Sequence, residues 1–352
     1  MTLRGAIVGF GNIALHGHLP GWLDRRDVEI VAVTDARPAR RSVAEEHGPQ
    51  ARWHDSADEL LARGDLDFVD ICTPPSSHAG LIRAALLRGL HVLCEKPLVG
   101  SLEDLETVAR LASESDRVVH TVHNWHHAPI IRRTGEMIRD GAIGRVRRVV
   151  WETLRTGPAA DVGDGNWRVD PAISGGGVLT DHGWHVFYVL GRWIGARPTE
   201  ISAALETRRH TRWSVEDTAT LRLTFPDATA EILLTWASDV RRNWVEITGT
   251  DGALRLEDEV LVLARNGDDS REQRWACPPA LSAGSHHPDW FHQVVEDFLS
   301  SVRGAAPRRA NLAEASLCVA LEALARESSR RGARRLPLMA LALGPSVAWS
   351  FS

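Results

Sequence analysis

Ala6-Ile7-Val8-Gly9-Phe10-Gly11-Asn12-Ile13-Ala14 is an apolar run that breaks into two glycines and then resumes as the opening of a helix. The first glycine allows a tight strand-to-helix turn, and the second lets the backbone approach a pyrophosphate. Ala14 is small enough for close helix–strand packing, and the helix N-terminus faces the phosphate charge. Gly9, Phe10, Gly11, Asn12 and Ile13 are therefore the expected cradle for a dinucleotide. The next apolar run, Ile30-Val31-Ala32-Val33, ends near Asp35 at the separation such a site requires. A carboxylate there accepts hydrogen bonds from ribose hydroxyls and repels a 2′-phosphate, which predicts NAD in preference to NADP. Arg37 is the group that would accommodate the phosphate if Asp35 turned away.

Working outward, Phe68-Val69-Asp70-Ile71, Val92-Leu93 and residues 118–122 are further short apolar strands. Helical stretches near 38–47, 55–63 and 77–88 separate them, and Ser101 with Asp104 caps another. Strands alternating with helices of that length mean βαβ units on a mostly parallel sheet, so residues 1–122 read as a Rossmann domain. Thr73-Pro74-Pro75 follows the third strand of this series, on the ligand-binding edge, and is expected to border the nicotinamide half of the cofactor. His78 is either a cofactor neighbour or a first-turn residue satisfying nearby backbone groups.

The pattern then changes. A helix over 128–139, closed by Gly141, precedes strand candidates at 146–153, 201–207, 218–225, 231–237, 245–248, 254–256 and 260–263. Short turns between consecutive strands predict antiparallel pairing, so residues 123–352 are expected to form an α+β domain on a largely antiparallel open sheet. Helices over 290–302 and 311–326 cover one face of a sheet. The apolar tail 336–343 is too short to span a bilayer and reads as a terminal strand or a segment packed on a neighbour. A net charge of −5 without a sustained basic block argues against nucleic acid. Four scattered cysteines fit a reducing compartment better than a disulfide framework, and the start of the chain leaves no room for a signal peptide, so a cytoplasmic location is expected.

Lys96 is the single lysine; the other 40 basic residues of the Lys+Arg count are arginines. An ammonium can be tuned by burial and neighbours, which a guanidinium resists. The lysine lies in Cys94-Glu95-Lys96-Pro97, at the end of a buried strand where open α/β sheets place their chemistry. In the second half, Gly175-Gly176-Gly177 leads into Asp181 and His185, four residues apart and so on one face of a helix. Imidazole is the natural acid/base near neutral pH, and a neighbouring carboxylate orients it. The glycines are expected to let backbone and substrate come close. Asp181, His182 and His185 do not make a convincing ligand set, and no cysteine accompanies His123, His126 and His127, so no metal is expected.

These motifs, with Cys72-Thr73-Pro74-Pro75, resemble the glucose–fructose oxidoreductase/inositol dehydrogenase/rhizopine-catabolism family. The resemblance implies an NAD(P)-dependent sugar or cyclitol dehydrogenase whose open sheet forms a homodimer or homotetramer interface. It implies Lys96, Asp181 and His185 as the catalytic trio, Glu95 and Lys96 beside the cofactor, and Asn124 approaching the substrate. One departure stands out: many relatives carry an aspartate three residues beyond the histidine, where this chain has Tyr188. Trp167 offers an apolar face to a sugar ring, and Arg168 either binds an anionic group or pairs with Asp170. With no arginine cluster around the catalytic motif in the sequence, an unphosphorylated monosaccharide or cyclitol is expected. Two other functions fit the motifs: a glycoside hydrolase acting through transient NAD-dependent oxidation, and a non-catalytic dinucleotide sensor.

Overall fold

The structure is a computed structural model, and it describes residues 2–48, 50–159, 166–266 and 272–338. Six parallel strands form the first sheet: β1 (Leu3–Val8), β2 (Val28–Thr34), β3 (Arg52–Trp53), β4 (Phe68–Ile71), β5 (His91–Cys94) and β6 (Val119–Thr121). Their spatial order, β3-β2-β1-β4-β5-β6, reverses direction between β1 and β4. A crevice opens at that reversal, beyond the carboxyl ends of the strands, and it receives ligands in folds of this kind. β4 and β5 are buried along their whole length because helices cover both faces. They are α1 (Leu19–Leu23), α2 (Arg40–His47), α3 (Ala57–Leu61), α4 (His78–Leu87) and α5 (Leu102–Ser115). The Ser56 and Ser101 side chains cap α3 and α5 by accepting from the amides of Glu59 and Asp104.

After α6 (Pro129–Arg139), a nine-stranded sheet takes over. Its strands are β7 (Val146–Leu154), β8 (Glu200–Glu206), β9 (Thr218–Thr224), β10 (Thr229–Thr235), β11 (Arg242–Gly249), β12 (Gly252–Glu257), β13 (Val260–Arg265), β14 (Gln273–Ala276) and β15 (Leu336–Pro337). All neighbours are antiparallel except β7 and β10, which run parallel. Alternating burial along β7, β9 and β10 gives this sheet one packed face and one open face. The packed face carries α10 (Ala310–Arg330), with α8 (Trp184–Ile194) against it, while α7 (Pro171–Ser174) lies beside the 3₁₀ turns Pro75–Ser77 and Trp167–Val169. Leu336 begins the terminal strand on β8, while the rest of the expected apolar tail, from 339 on, lies outside the described residues.

The helix α9 (Pro288–Val302) departs from the simple two-domain division. Its residues Phe291, Val294, Val295 and Phe298 are buried with Ile7, Trp22 and Phe68, so it covers the first sheet although it lies far along the chain. Phe298 meets Phe68 edge-on at 5.5 Å and Trp22 at 6.2 Å. Truncating such a buried aromatic costs about 3–5 kcal/mol. The sequence pattern did not reveal β3 and β14, which are short, polar edge strands without a marked period-two alternation.

Candidate active site

The glycine turn is built as its sequence requires. Gly9 has φ +89°, and a Cβ there would lie 2.9 Å from the carbonyl carbon and oxygen of Cys72 on β4's exit, so no other residue fits. The amide of Gly9 donates to Thr34 at 2.8 Å and that of Phe10 to Asp35 at 2.8 Å, which ties the loop to the end of β2. The other Asp35 oxygen accepts from the amide and Nε of Arg37, at 2.8 and 3.2 Å. Beyond the turn, Asn12 and Ile13 open a wide π turn (Ala14–His18) that runs into α1. Helix geometry leaves first-turn amides without internal partners. Together with the open space over Gly11, bounded by Arg37, they fit a pyrophosphate. The cradle therefore suits a dinucleotide.

Thr73 and Pro74 leave β4 on the same edge, and Thr73 packs against Gly9. His78 does not join them as a cofactor contact. Its two ring nitrogens lie 2.8 Å from the carbonyls of Pro97 and Thr73, and burial pushes its pKa down. It clasps the loop after β4 to the loop after β5, the backbone-satisfying role that was the alternative.

Under the crevice, His18 holds a buried polar cluster. Its Nδ1 is 2.9 Å from Asp70 and 3.1 Å from Cys72, and its Nε2 is 3.0 Å from Glu95. Trp22 also donates to Asp70 at 2.7 Å, and Phe291 of α9 stacks on the imidazole at 3.9 Å. Burial alone would lower the pKa of His18, but the charge of Asp70 and the bonds to Asp70 and Cys72 raise it well above the ordinary value. Glu95 is lowered: burial opposes ionisation, and His18 and Lys96 overcome it. With one oxygen at His18 and the other accepting the Lys96 amide at 2.9 Å, Glu95 steadies the backbone that carries the lysine.

Lys96 reaches across to the second domain. Its Nζ donates to the Asp181 carboxylate at 2.8 Å and to the Asp181 carbonyl at 2.9 Å. Burial raises the Asp181 pKa, but Lys96, His182 and Arg168 outweigh it and hold the carboxyl far below the usual range. The expectation that Asp181 orients His185 is corrected here. Asp181 sits in a second wide π turn (Leu179–Gly183), which interrupts regular α-helical register before α8 begins at Trp184. Its carboxylate faces the stronger charge of Lys96, with His182 at 3.5 Å on its other oxygen.

The group on Nδ1 of His185 is instead the hydroxyl of Tyr188, at 2.8 Å. That oxygen also accepts from the amide of Trp125 at 3.0 Å, and the Trp125 ring stacks on the imidazole at 4.6 Å. Trp125 rests in turn on Trp151 of β7. Burial and then the charge of Lys96 hold His185 well below the ordinary histidine value, so it is neutral near pH 7. Nε2 makes no hydrogen bond among the described residues.

Trp167, Arg168, Trp236 and Pro75 line a cavity beside Lys96 and Asp181. Arg168 lies over the Trp167 ring at 4.4 Å and does not pair with Asp170, whose carboxylate caps Ala172 at 2.9 Å. Asn124 opens the 3₁₀ turn Asn124–His127 with a buried Oδ1 lacking a partner, and Nδ1 of His182 is similarly unpaired. The glycine run serves packing more than substrate approach. A Cβ on Gly177 would collide with the backbone of Glu216, whose carboxylate accepts from the Gly177 and Leu179 amides at 3.0 and 3.3 Å. His123 and His126 converge on Glu314 at 2.9 and 3.2 Å, but Arg192 also holds that carboxylate, at 2.8 Å, while His127 pairs with Asp297. Trp125, Arg155, Tyr188 and Trp236 were not among the expected site residues. Tyr188 alone gave a signal, as the one tyrosine of the chain.

Residues 3–123 match the oxidoreductase family model with an NAD-binding Rossmann fold, and residues 131–255 match the C-terminal domain model of the same family. A dTDP-3,4-didehydro-2,6-dideoxy-alpha-D-glucose 3-reductase of Streptomyces antibioticus is 30% identical over 90% of this chain and 97% of its own length. A D-apiose dehydrogenase of Paraburkholderia graminis is 29% identical over 78% of this chain and 73% of its own. A levoglucosan dehydrogenase solved with NADH and levoglucosan superposes with a TM-score of 0.83 over 96% of this chain and 100% of that one, at 19% identity, and shares the fold. The chain belongs to the Gfo/Idh/MocA family of oxidoreductases and carries that family's NAD-binding Rossmann domain.

Proposed function

We propose that this protein reversibly oxidises a secondary alcohol on a sugar or cyclitol ring, with Lys96, Asp181 and His185 as its catalytic residues. Bound NAD supplies the hydride acceptor. The carbinol C–H bond breaks as hydride leaves for the cofactor, the O–H proton goes to Nε2 of His185, and a C=O bond forms. The observation that carries this reading is the pairing of a neutral, oriented His185 with Lys96 across the mouth of the dinucleotide crevice. With Nδ1–H donating to Tyr188, Nε2 presents its lone pair to the substrate hydroxyl. Lys96 donates to the same substrate oxygen and stabilises the charge developing on it. Asp181 holds the ammonium in place and accepts from an adjacent hydroxyl. Asn124 and His182 offer unpaired polar atoms to further hydroxyls, and a polar pocket of this kind discriminates against analogues lacking them.

Glu95 and the Gly9–Ile13 turn act on the cofactor side, and Trp167 supports the C–H face of the ring. The relatives named as sugar dehydrogenases and a sugar reductase support the substrate class. The open face of the nine-stranded sheet, with half-buried Val150, Ala204 and Leu233 between charged residues, is the surface we assign to a homodimer or homotetramer. Four buried free cysteines agree with a reducing, cytoplasmic setting, and no described helix is long and apolar enough to cross a membrane. The test is NADH formation across hexoses, pentoses, inositols, aminosugars and nucleotide-linked sugars. Sugar-dependent NADH release is expected, and product release from an aryl glycoside without net NADH would replace this reading with the hydrolase.

A further inference from the structure

The pocket holds more positive charge than the proposed chemistry uses. Arg155 directly follows β7, and its amide donates to the carbonyl of Thr235 at 2.9 Å. The parallel register of β7 with β10 therefore sets it beside Trp236, which lines the cavity with Lys96 and Asp181. Alternation along β7 puts Trp151, Thr153 and Arg155 on one buried face, the face that backs Trp125 and His185. At 2% exposure, Arg155 is the one buried arginine among the described residues. Its guanidinium donates to the carbonyls of Leu154 and Arg242 and to Oδ1 of Asn243, at 2.8, 3.2 and 3.3 Å. Among the described residues no carboxylate forms an ion pair with it, and its Nε is buried without an acceptor.

Two more guanidiniums share this region without an acidic ion-pair partner among the described residues. Arg168 lines the cavity on the Trp167 ring. Arg241 donates to the carbonyls of Ser282 and Gly284, both at 2.6 Å. Burial and Arg241 together bring Arg155 down to about 10, and Asp181 and Asp258 only partly offset them. Burial, followed by Arg241, His286 and Arg155, lowers His287 to about 4. Among the described residues, two carboxylates, Asp181 and Asp258, face the four cations Lys96, Arg155, Arg168 and Arg241; Asp181 is already bonded to Lys96, and Asp258 accepts from the amide of Asn243. A buried cation without a counter-ion is strongly unfavourable, and a ligand that supplies the missing charge relieves it. The oxidised nicotinamide ring is itself cationic and deepens the imbalance. A neutral sugar leaves it uncorrected.

We propose that Arg155, Arg168 and Arg241 form an anion subsite of the substrate pocket, so that the sugar oxidised here carries a carboxylate or phosphoryl group. This rests on the dehydrogenase reading above and replaces the expectation of a neutral sugar, because the fold gathers arginines that stand far apart in sequence. Guanidinium groups suit both anions, through paired N–H donors.

The test uses the intact protein with NAD and matched sugars: glucose, glucuronate and glucose 6-phosphate, and galactose with galacturonate. Binding of the same sugars to the NADH complex is measured by calorimetry. At least one anionic member is expected to exceed its neutral parent by 100-fold or more in kcat/KM. A carboxylate winner and a phosphorylated winner identify the two sources of the charge. Arg168→Gln, on a half-buried side chain, is expected to reduce that ratio at least 10-fold; Arg155→Met provides the buried counterpart, checked for folding by its thermal transition. Equal or better use of the neutral parents overturns the subsite and leaves the dehydrogenase standing. Arginine-dependent binding of an anionic sugar without NADH formation keeps the subsite and overturns the hydride reading. No anionic binding, or an Arg168→Gln variant that weakens only NAD, overturns the subsite.

Discussion

The hydroxyl of Tyr188 lies 2.8 Å from Nδ1 of His185 and occupies the place where a carboxylate was expected to orient the ring. A phenol fixes the imidazole without adding negative charge, and burial keeps its own proton on by pushing its pKa well up. Tyr188→Phe removes a hydrogen bond worth about 0.5–1.5 kcal/mol and also leaves the Trp125 amide unpaired. kcat is expected to fall roughly 3- to 10-fold with KM little changed. Tyr188→Asp is the complementary variant: a carboxylate beside the ring raises the His185 pKa. Its acid limb in a pH–rate profile should move to higher pH than in the wild type, and an unmoved limb removes Tyr188 from the positioning of His185.

The wild-type profile follows from the same geometry. His185 is lowered by burial and by Lys96, so the unprotonated base persists as pH falls below the ordinary histidine value of 6.5. kcat/KM for alcohol oxidation should stay flat through pH 6.5 and decline only below it. A limb at 6.5 or above, measured in constant-ionic-strength buffers, contradicts a low His185 pKa.

Lys96→Arg keeps the charge and loses the compact ammonium that fits both the carboxylate and the carbonyl of Asp181 at 2.8 and 2.9 Å. A planar guanidinium cannot take that position and also meet the substrate oxygen. Steady-state kinetics should show at least a roughly 100-fold loss in kcat, in the range of a lost oxyanion donor. Full activity in the arginine variant shows that charge alone suffices there.

His18 links the crevice to stability. Its folded pKa is raised, so its cluster with Asp70 and Glu95 stabilises the native state fully below the unfolded value of 6.5. That contribution declines as pH rises and is lost once the pH passes the folded pKa. His18→Gln should therefore lower Tm most at or below pH 6.5, and the gap to the wild type should narrow toward alkaline pH. A gap that widens with pH contradicts a protonated His18.

Much of this molecule was legible because its signals are local. The break at Gly9 and Gly11, the alternation of strands with helices, and Asp35 after β2 depend on residues near one another in the chain, and each appears where the pattern placed it. Lys96 and Asp181 stood out by type and context, and they meet at 2.8 Å. The failures involve relationships that sequence spacing does not encode. Regular α-helical geometry was assumed between Asp181 and His185, and the π turn at Leu179–Gly183 removed it. Gly177 was read as open space for substrate, whereas the backbone of Glu216, 39 residues away, fills that space. Arg155 looked like one arginine among many, and only its position beside Trp236 distinguishes it.

The most direct measurement compares His185→Ala with the wild type for NADH formation at saturating NAD and sugar, alongside the affinity of each protein for NAD by calorimetry. The imidazole is held by Tyr188 and Trp125 and makes no hydrogen bond with the Gly9–Ile13 turn among the described residues. Its removal should leave NAD affinity within a few-fold while lowering kcat by roughly 10²- to 10⁴-fold, the contribution of a positioned general base. Wild-type turnover in the alanine variant, with NAD bound normally, would show that the proton leaves by another route.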